Sequence, residues 1–460
     1  MGKGAIVRQW TASLAGSLCV SMSGAMFVWM APLMVRFTSE DSPIPMTTTD
    51  TSWLSAVIEI SEGLATIPAG LLADRYGRKT VMLASGPITL LSWMIALTTR
   101  SVTALYIVRL IQGIALAVPF TVTPIYLVEI AEPKLRGQIC SYFQVFWYIG
   151  TLFSYSTGPY LSYQTYLWVS CSQSILFIIC YSFVPESPYY LLMINNDQKA
   201  YKALSWLRCD DNVEKEFYEI KQSVNEDMKN RGSWKDLFAT RKDRIAFIIV
   251  QIVCLVRYMN GLSAIVIYAT QTFSQSSGTN LTSDEMSIVI AIVLIITTFC
   301  SSFIADCIGR RPLLIFSTIG ATIFTAIVSI YYYIDGQTAI DVSSYMWIAY
   351  VSLMTFMVIN NIGLGPLMFS IQAEYFPSHT RAKGGGITGI TAALASFLSI
   401  KQYQAVEDYF GVYMNYAIFA AISLAGAIIF SIALRETAGK SLGQIQKSFK
   451  ENVDEDSGNV

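Results

Sequence analysis

Histidine is almost missing from this chain: one residue in 460, His379, in a short polar stretch between apolar runs. A general base or metal site built on imidazole therefore has almost nothing to draw on. Charge is scarce too. Asp, Glu, Lys and Arg make up 14% of the residues, against about 25% in soluble domains, which excludes a soluble enzyme and a disordered chain. The charge present is balanced, 31 Lys and Arg against 32 Asp and Glu for a net −1, so no basic field awaits nucleic acid. The eight cysteines (19, 140, 171, 180, 209, 254, 300 and 307) lie in or beside apolar runs, with no pair in a candidate outer loop. Neither a disulfide framework nor a metal or other cofactor is expected. The first apolar run is too long for a cleavable signal peptide, and Ile6 stands where myristoylation wants Ser or Thr.

What the chain has instead is apolar length. Hydrophobic residues make up 53% of it, with a mean hydropathy of +0.47. Twelve runs of bilayer-crossing length can be drawn, at 11–35, 52–73, 80–99, 104–127, 138–160, 165–184, 245–270, 285–305, 312–333, 345–372, 384–404 and 411–434. Helix is the state that satisfies the backbone in lipid, so the expected fold class is an all-α membrane protein of twelve transmembrane helices. With both termini placed in the cytoplasm, cytosolic segments hold 26 of the 31 Lys and Arg. Outer segments hold three (Arg36, Arg100, Lys401), and Arg109 and Arg257 fall within spans. That asymmetry is the positive-inside pattern. The sequon Asn280-Leu281-Thr282 falls in a loop this topology puts outside, making Asn280 a glycosylation candidate.

The expected organisation is a six-helix bundle over 1–184, cytosolic linker helices over 185–244, a second bundle over 245–434 and a cytosolic tail over 435–460. The linker is charged, with helical patterning over Asp197–Arg208 and 213–229. The two halves repeat. Ala73-Asp74-Arg75-Tyr76-Gly77-Arg78-Lys79 follows span two, and Ala305-Asp306-Cys307-Ile308-Gly309-Arg310-Arg311 follows span eight. Glu129 with Arg136 follows span four, and Glu374 with Arg381 follows span ten. Glu186 ends span six, and Glu436 ends span twelve. The offsets of 232, 245 and 250 residues mark a duplication, the plan of transporters whose substrate sits between pseudo-symmetric six-helix repeats.

On these segments the chain resembles the sugar porters of the major facilitator superfamily along nearly its full length. The matching stretches are Gly70 to Lys79, Pro124-Ile125-Tyr126-Leu127-Val128-Glu129, Pro185-Glu186-Ser187-Pro188-Tyr189-Tyr190-Leu191, Asp306 to Arg311, Ala373-Glu374-Tyr375-Phe376-Pro377, and Glu436-Thr437-Ala438-Gly439-Lys440-Ser441-Leu442. The outer stretch Thr38-Ser39-Glu40-Asp41-Ser42-Pro43-Ile44-Pro45 is similar to that of insect facilitated trehalose transporter-like proteins. The resemblance implies the major facilitator fold, no enzymatic step, and a gate built from Asp74, Arg75, Arg78, Glu129, Arg136, Glu186, Asp306, Arg310, Glu374, Arg381 and Glu436. If the halves meet at the inner face, the repeated spacing of seven lets Glu129 reach Arg381 and Glu374 reach Arg136. The bland alternative is a set of positive-inside anchors.

The resemblance also implies that Gln144 in span five contacts sugar, although a lone amide at mid-span also serves as helix glue. Span seven departs from the family. Its two glutamines and Ser-Gly-Ile-Asn become Arg257-Tyr258-Met259-Asn260-Gly261-Leu262-Ser263. Span ten carries Met368 and Phe369 for the family's second proline and tryptophan, and the asparagines of spans eight and eleven fall at Leu294 and in Ala392-Ala393. The polar replacements are Arg257, Asn360 and Asn361, with Tyr258, Asn260, Ser263, Tyr268, Phe356 and Phe369 expected beside the cavity. Arg257 either binds substrate or pairs with a carboxylate in a rebuilt polar cavity, or it packs against a neighbouring helix with a buried counter-ion or snorkels to the interface. Glu59 and Glu62, three apart on one face of span two, are candidate proton carriers if burial favours their neutral form. Span one lacks the acid of proton-coupled sugar porters.

The expected protein moves a small polar solute, a hexose or trehalose-like disaccharide, down its gradient by alternating access. It acts as a monomer in the lipid bilayer, at the plasma membrane. Two alternatives stay open: a carrier of the same fold for a non-sugar or anionic solute using Arg257, and a nutrient receptor that binds without turnover.

Overall fold

The structure, a computed structural model, describes residues 3–39, 42, 44–210, 212–229, 232–274, 282–434 and 436. Each stretch expected to span is helical. Ten helical rods are long and apolar enough to cross a bilayer among the described residues. The fifth and eleventh spans, Pro133–Thr157 and Ser378–Phe410, are helices of sufficient length but more polar composition. Four spans are interrupted rather than straight. The first passes from Lys3–Val28 through a 3₁₀ turn at Ala31–Leu33 to Met34–Phe37. The fourth divides into Val102–Thr121 and Thr123–Ile130, the seventh into Arg241–Met259 and Leu262–Ser274, and the tenth into Met346–Ile362 and Leu364–Tyr375.

The chain divides into two compact units. The first comprises Met1–Trp29, Glu40–Pro45 and Val57–Arg231, the second Met30–Ser39, Met46–Ala56 and Gly232–Val460. Three helices of the stretch expected as a linker thus fold with the first unit, and the end of span one and start of span two fold with the second.

In the first unit, spans one and five approach through small residues, as helices in lipid must when no hydrophobic effect drives them together. A Cβ on Gly24 would lie 2.2 Å from the Trp147 carbonyl oxygen, and one on Gly150 would lie 1.9 Å from that of Ser21. Ser154 donates to the Ala25 carbonyl at 2.9 Å, adding a polar tie between the same two helices. Pro188–Met193, Asp197–Arg208 and Glu214–Lys229 are ordinary amphipathic helices. Tyr190, Leu191, Leu204, Phe217 and Val224 form their shared apolar core, where hydrophobic burial does supply the drive. Arg208 fastens this layer to span four: it donates to the Ile130 carbonyl at 3.1 Å and pairs with Glu216 at 2.7 Å and Glu132 at 3.4 Å. Tyr189 donates to Asp227 at 2.5 Å. Burial together with that carboxylate pushes its phenol up, so it keeps its proton as a donor.

In the second unit the breaks are mended by neighbouring side chains. At Gly363 a Cβ would meet Ser317 Cβ at 2.3 Å, so the serine of span nine presses directly on the interruption in span ten. Ser317 Oγ donates to the Ile359 carbonyl and accepts from the Leu364 amide, at 3.0 and 3.3 Å. Two backbone groups freed by the break regain partners without water. Gly261, at φ +96°, carries the break in span seven against the ring of Phe419. There Asn260 Oδ1 accepts the Leu262 amide.

Candidate functional site

The duplicated loops have one design. Gly77 and Gly309 adopt φ of +105° and +97°, a region L side chains avoid, and each starts the next helix. Glu186 places both carboxylate oxygens on the Lys79 amide, at 2.9 and 3.1 Å. Glu436 accepts from the Arg310 and Arg311 amides at 3.0 and 3.1 Å. A carboxylate thus sits at the positive end of each helix, where unsatisfied amides and the dipole favour it.

Arg78 lies 3.1 Å from Asp74 and donates from Nε to both oxygens of Glu129 at 3.2 Å. Arg310 lies 3.5 Å from Glu374. Glu129 and Glu374 each hold an arginine of their own unit. Arg75 lies over its neighbour Tyr76 and offers its carbonyl to Tyr190. Arg381 donates to the Phe376 carbonyl at 3.5 Å. The side chains of Arg136 and Asp306, and all of Asn280, fall outside the described residues.

Inside the first unit, Gln144 is half-buried and has no hydrogen-bond partner among the described residues. One turn on, Trp147 packs its ring 5.0 Å from Phe120 and 5.3 Å from Phe27, and Phe120 meets Phe143 at 5.6 Å. An unengaged amide beside an aromatic wall is what a sugar needs: hydrogen bonds for hydroxyls and a flat face for C–H. Sequence reasoning missed the aromatic part, although Phe143 and Trp147 flank Gln144 at −1 and +3. Deeper in the unit, Arg109 is fully buried and donates to the Met26 and Phe27 carbonyls at 2.9 and 3.3 Å and to Gln112 at 3.2 Å. Trp29 Nε1 also donates to Gln112, at 3.0 Å. Glu59 lies near Arg109, and Glu62 neighbours Glu59. Arg109 and Gln112 at i and i+3 were the signal for this network, and it was passed over.

In the second unit the expected residues separate. Asn260, Asn360 and Asn361 are fully buried and tie helices together. Asn260 donates to Asn360 at 2.5 Å, linking the breaks of spans seven and ten, while Asn361 reaches the Leu294 carbonyl and Thr297 and Thr298 of span eight. Tyr268 is likewise buried, stacked 4.6 Å from Tyr403, and Phe356 is buried as well. Ser263 and Tyr258 are half-buried and Phe369 is more open. Arg257 is 8% exposed. Its guanidinium lies 5.4 Å from the Tyr258 ring, and Nη1 has no hydrogen-bond partner.

The profile of the family described as "Sugar (and other) transporter" matches residues 10–449. The facilitated trehalose transporter Tret1 of Bombyx mori is 26% identical over 446 residues, 95% of this chain and 86% of that one. Tret1 of Anopheles gambiae is 24% identical over 453 residues, 96% of this chain but 56% of that longer protein. A solved structure of the E. coli xylose transporter XylE aligns with TM-score 0.79 at 16% identity, over 95% of this chain and all of that one. At that identity the likeness bears on the fold, twelve helices in two bundles. With the profile matched from end to end on a polytopic helical chain, the protein belongs to the sugar (and other) transporter family of membrane transporters.

Proposed function

We propose that this chain carries a sugar of hexose or disaccharide size across a membrane by alternating access, down the sugar's own gradient. The observation that carries the reading is the unengaged Gln144 amide beside the Phe27, Phe120, Phe143 and Trp147 rings, inside a chain of the sugar transporter family. The names of the trehalose-transporting relatives favour the same solute class. Gln144 reads hydroxyls, the rings take the apolar face of the pyranose, and no covalent chemistry is involved. Arg78 with Glu129 and Arg310 with Glu374 brace the gate loops in this state, together with Asp74, Glu186 and Glu436, while Arg75 and Arg381 serve the same face. Lysine and arginine asymmetry supports cytoplasmic termini. One chain holds both bundles, which supports a monomer as the working unit.

The test is counterflow: purified protein in proteoliposomes preloaded with glucose or trehalose, with labelled sugar outside. Exchange above the level of empty liposomes, reduced at least tenfold by Gln144→Ala, is the expected result. Failure to exchange any sugar overturns the reading.

A further inference from the structure

We propose that the preferred solute is a sugar acid, a polyhydroxylated chain bearing one carboxylate, and that Arg257 is the residue that takes the carboxylate. This deepens the transport reading above and rests on it. Four arginines are buried among the described residues: Arg78, Arg109, Arg208 and Arg257. Three have their guanidinium forks filled. Arg78 holds Asp74, Glu129 and the Ala73 carbonyl. Arg109 holds two carbonyls and Gln112, and Arg208 holds Glu216, Glu132 and the Ile130 carbonyl. Arg257 is the exception. Among the described residues no hydrogen bond or ion pair engages it, and its guanidinium lies 5.4 Å from the centre of the Tyr258 ring. An arginine within a span is costly unless it meets water or a partner, and its five N–H donors form a planar fork that fits a carboxylate bidentately.

The surroundings narrow the ligand further. Asn260 lies one turn beyond Arg257 and donates to Asn360, whose own Nδ2 is buried without a partner. Arg257 Nη1 and Asn360 Nδ2 are both N–H donors without a partner, so a ligand that meets the two of them offers acceptors, as a carboxylate with neighbouring hydroxyl oxygens does. Arg257 is also the one charged side chain buried in the second unit among the described residues. A single positive charge balances a monoanion and leaves a phosphate dianion half-compensated. A uronate or aldonate meets both conditions.

The experiment is counterflow with proteoliposomes preloaded in turn with glucuronate, gluconate, glucose, trehalose and acetate, using the full chain and its Arg257→Gln and Arg257→Lys variants. The expected result is glucuronate exchange at least tenfold above glucose, a fall on Arg257→Gln that is at least tenfold larger for glucuronate than for glucose, and partial recovery with Arg257→Lys. Glucose exchange without a glucuronate preference, or glucuronate exchange unaltered by Arg257→Gln, overturns the proposal and leaves the sugar-transport reading standing. Acetate exchanged as well as glucuronate overturns its sugar part. If no solute exchanges, the transport reading fails, and thermal stability in detergent decides the site. Stabilisation by glucuronate but not glucose, abolished by Arg257→Gln, supports it; no stabilisation overturns it.

Discussion

Glu129 is clasped by Arg78 with Nε 3.2 Å from each carboxylate oxygen, and the same pairing recurs 232 residues on for the arginine and 245 on for the glutamate, as Arg310 and Glu374. The first pair is the deeper, with side chains 5% and 9% exposed against 21% and 22%. Removing one member of a buried pair leaves an uncompensated charge, which costs about 3–5 kcal/mol. Arg78→Met should therefore lower the unfolding midpoint in detergent much more than Arg310→Met. Equal shifts in the two variants, measured by thermal unfolding of the purified proteins, would show that burial is not what distinguishes them.

Gly77 and Gly309 share a backbone conformation but not the space around it. A Cβ at Gly77 would lie 2.2 Å from Glu186 Oε2, whereas one at Gly309 would lie 2.9 Å from Glu436 Oε2. Both alanine variants pay for the positive φ, about 1–3 kcal/mol. Gly77→Ala must in addition dislodge the carboxylate that caps the Lys79 amide. The expected order is Gly77→Ala below Gly309→Ala in folded yield and thermal midpoint. Glu186→Ala combined with Gly77→Ala should be less than additive, because the clash is then already gone.

Trp147 provides a sharper test of the sugar wall than Gln144 alone. Its ring is held between Phe27 and Phe120, so Trp147→Phe keeps an aromatic face and Trp147→Ala removes it. Sugar uptake should fall about tenfold in the alanine variant, roughly 1.4 kcal/mol, and only a fewfold in the phenylalanine one. Unfolding midpoints measured alongside separate loss of stacking from loss of fold.

Glu59 and Glu62 are neighbours with different surroundings: Glu59 lies near Arg109, Glu62 near Glu59. Glu62→Gln keeps the size and polarity of the side chain, so uptake should persist. Glu59→Gln strips Arg109 of its counter-charge and should destabilise the protein by the cost of an unpaired buried ion. Facilitative transport further predicts that a protonophore leaves initial uptake unchanged. Uptake that collapses with the proton gradient in the parent chain but not in Glu62→Gln would make Glu62 a proton carrier.

Much of this architecture is written locally. Apolar length gives the spans, and the doubled Asp-x-x-Gly-Arg loops give the two halves, because each signal lies within one short stretch of chain. Glycine and proline mark the interruptions in spans four and ten, at Pro119, Pro124, Gly363, Gly365 and Pro366. The break at Asn260 and Gly261 was not foreseen, since it is mended by Asn360, a hundred residues away, and admitted by the ring of Phe419. The site suffered from the same distance. Buried asparagines look identical in sequence whether they face a solute or a neighbouring helix, and only their partners show that Asn361 is spent on span eight. Gln112, three residues on, was the local hint of Arg109 as a centre; its other acceptors are backbone carbonyls of span one, which no residue type reports.

Arg257 turns that lesson into a stability prediction of unusual sign. Replacing a buried arginine normally removes contacts, as it should for Arg78. Arg257 has no hydrogen bond or ion pair to lose among the described residues, while its charge in a span costs about 2.5–3.5 kcal/mol on insertion scales. Arg257→Met keeps the apolar stem and deletes the charge, so the unliganded variant should unfold at a higher temperature than the parent. A lower midpoint would mean that the guanidinium is already satisfied without solute, and that its retention has a purely structural cause. A higher midpoint together with lost glucuronate exchange would identify the cost as one the protein carries for its ligand, the usual relation between stability and a functional site.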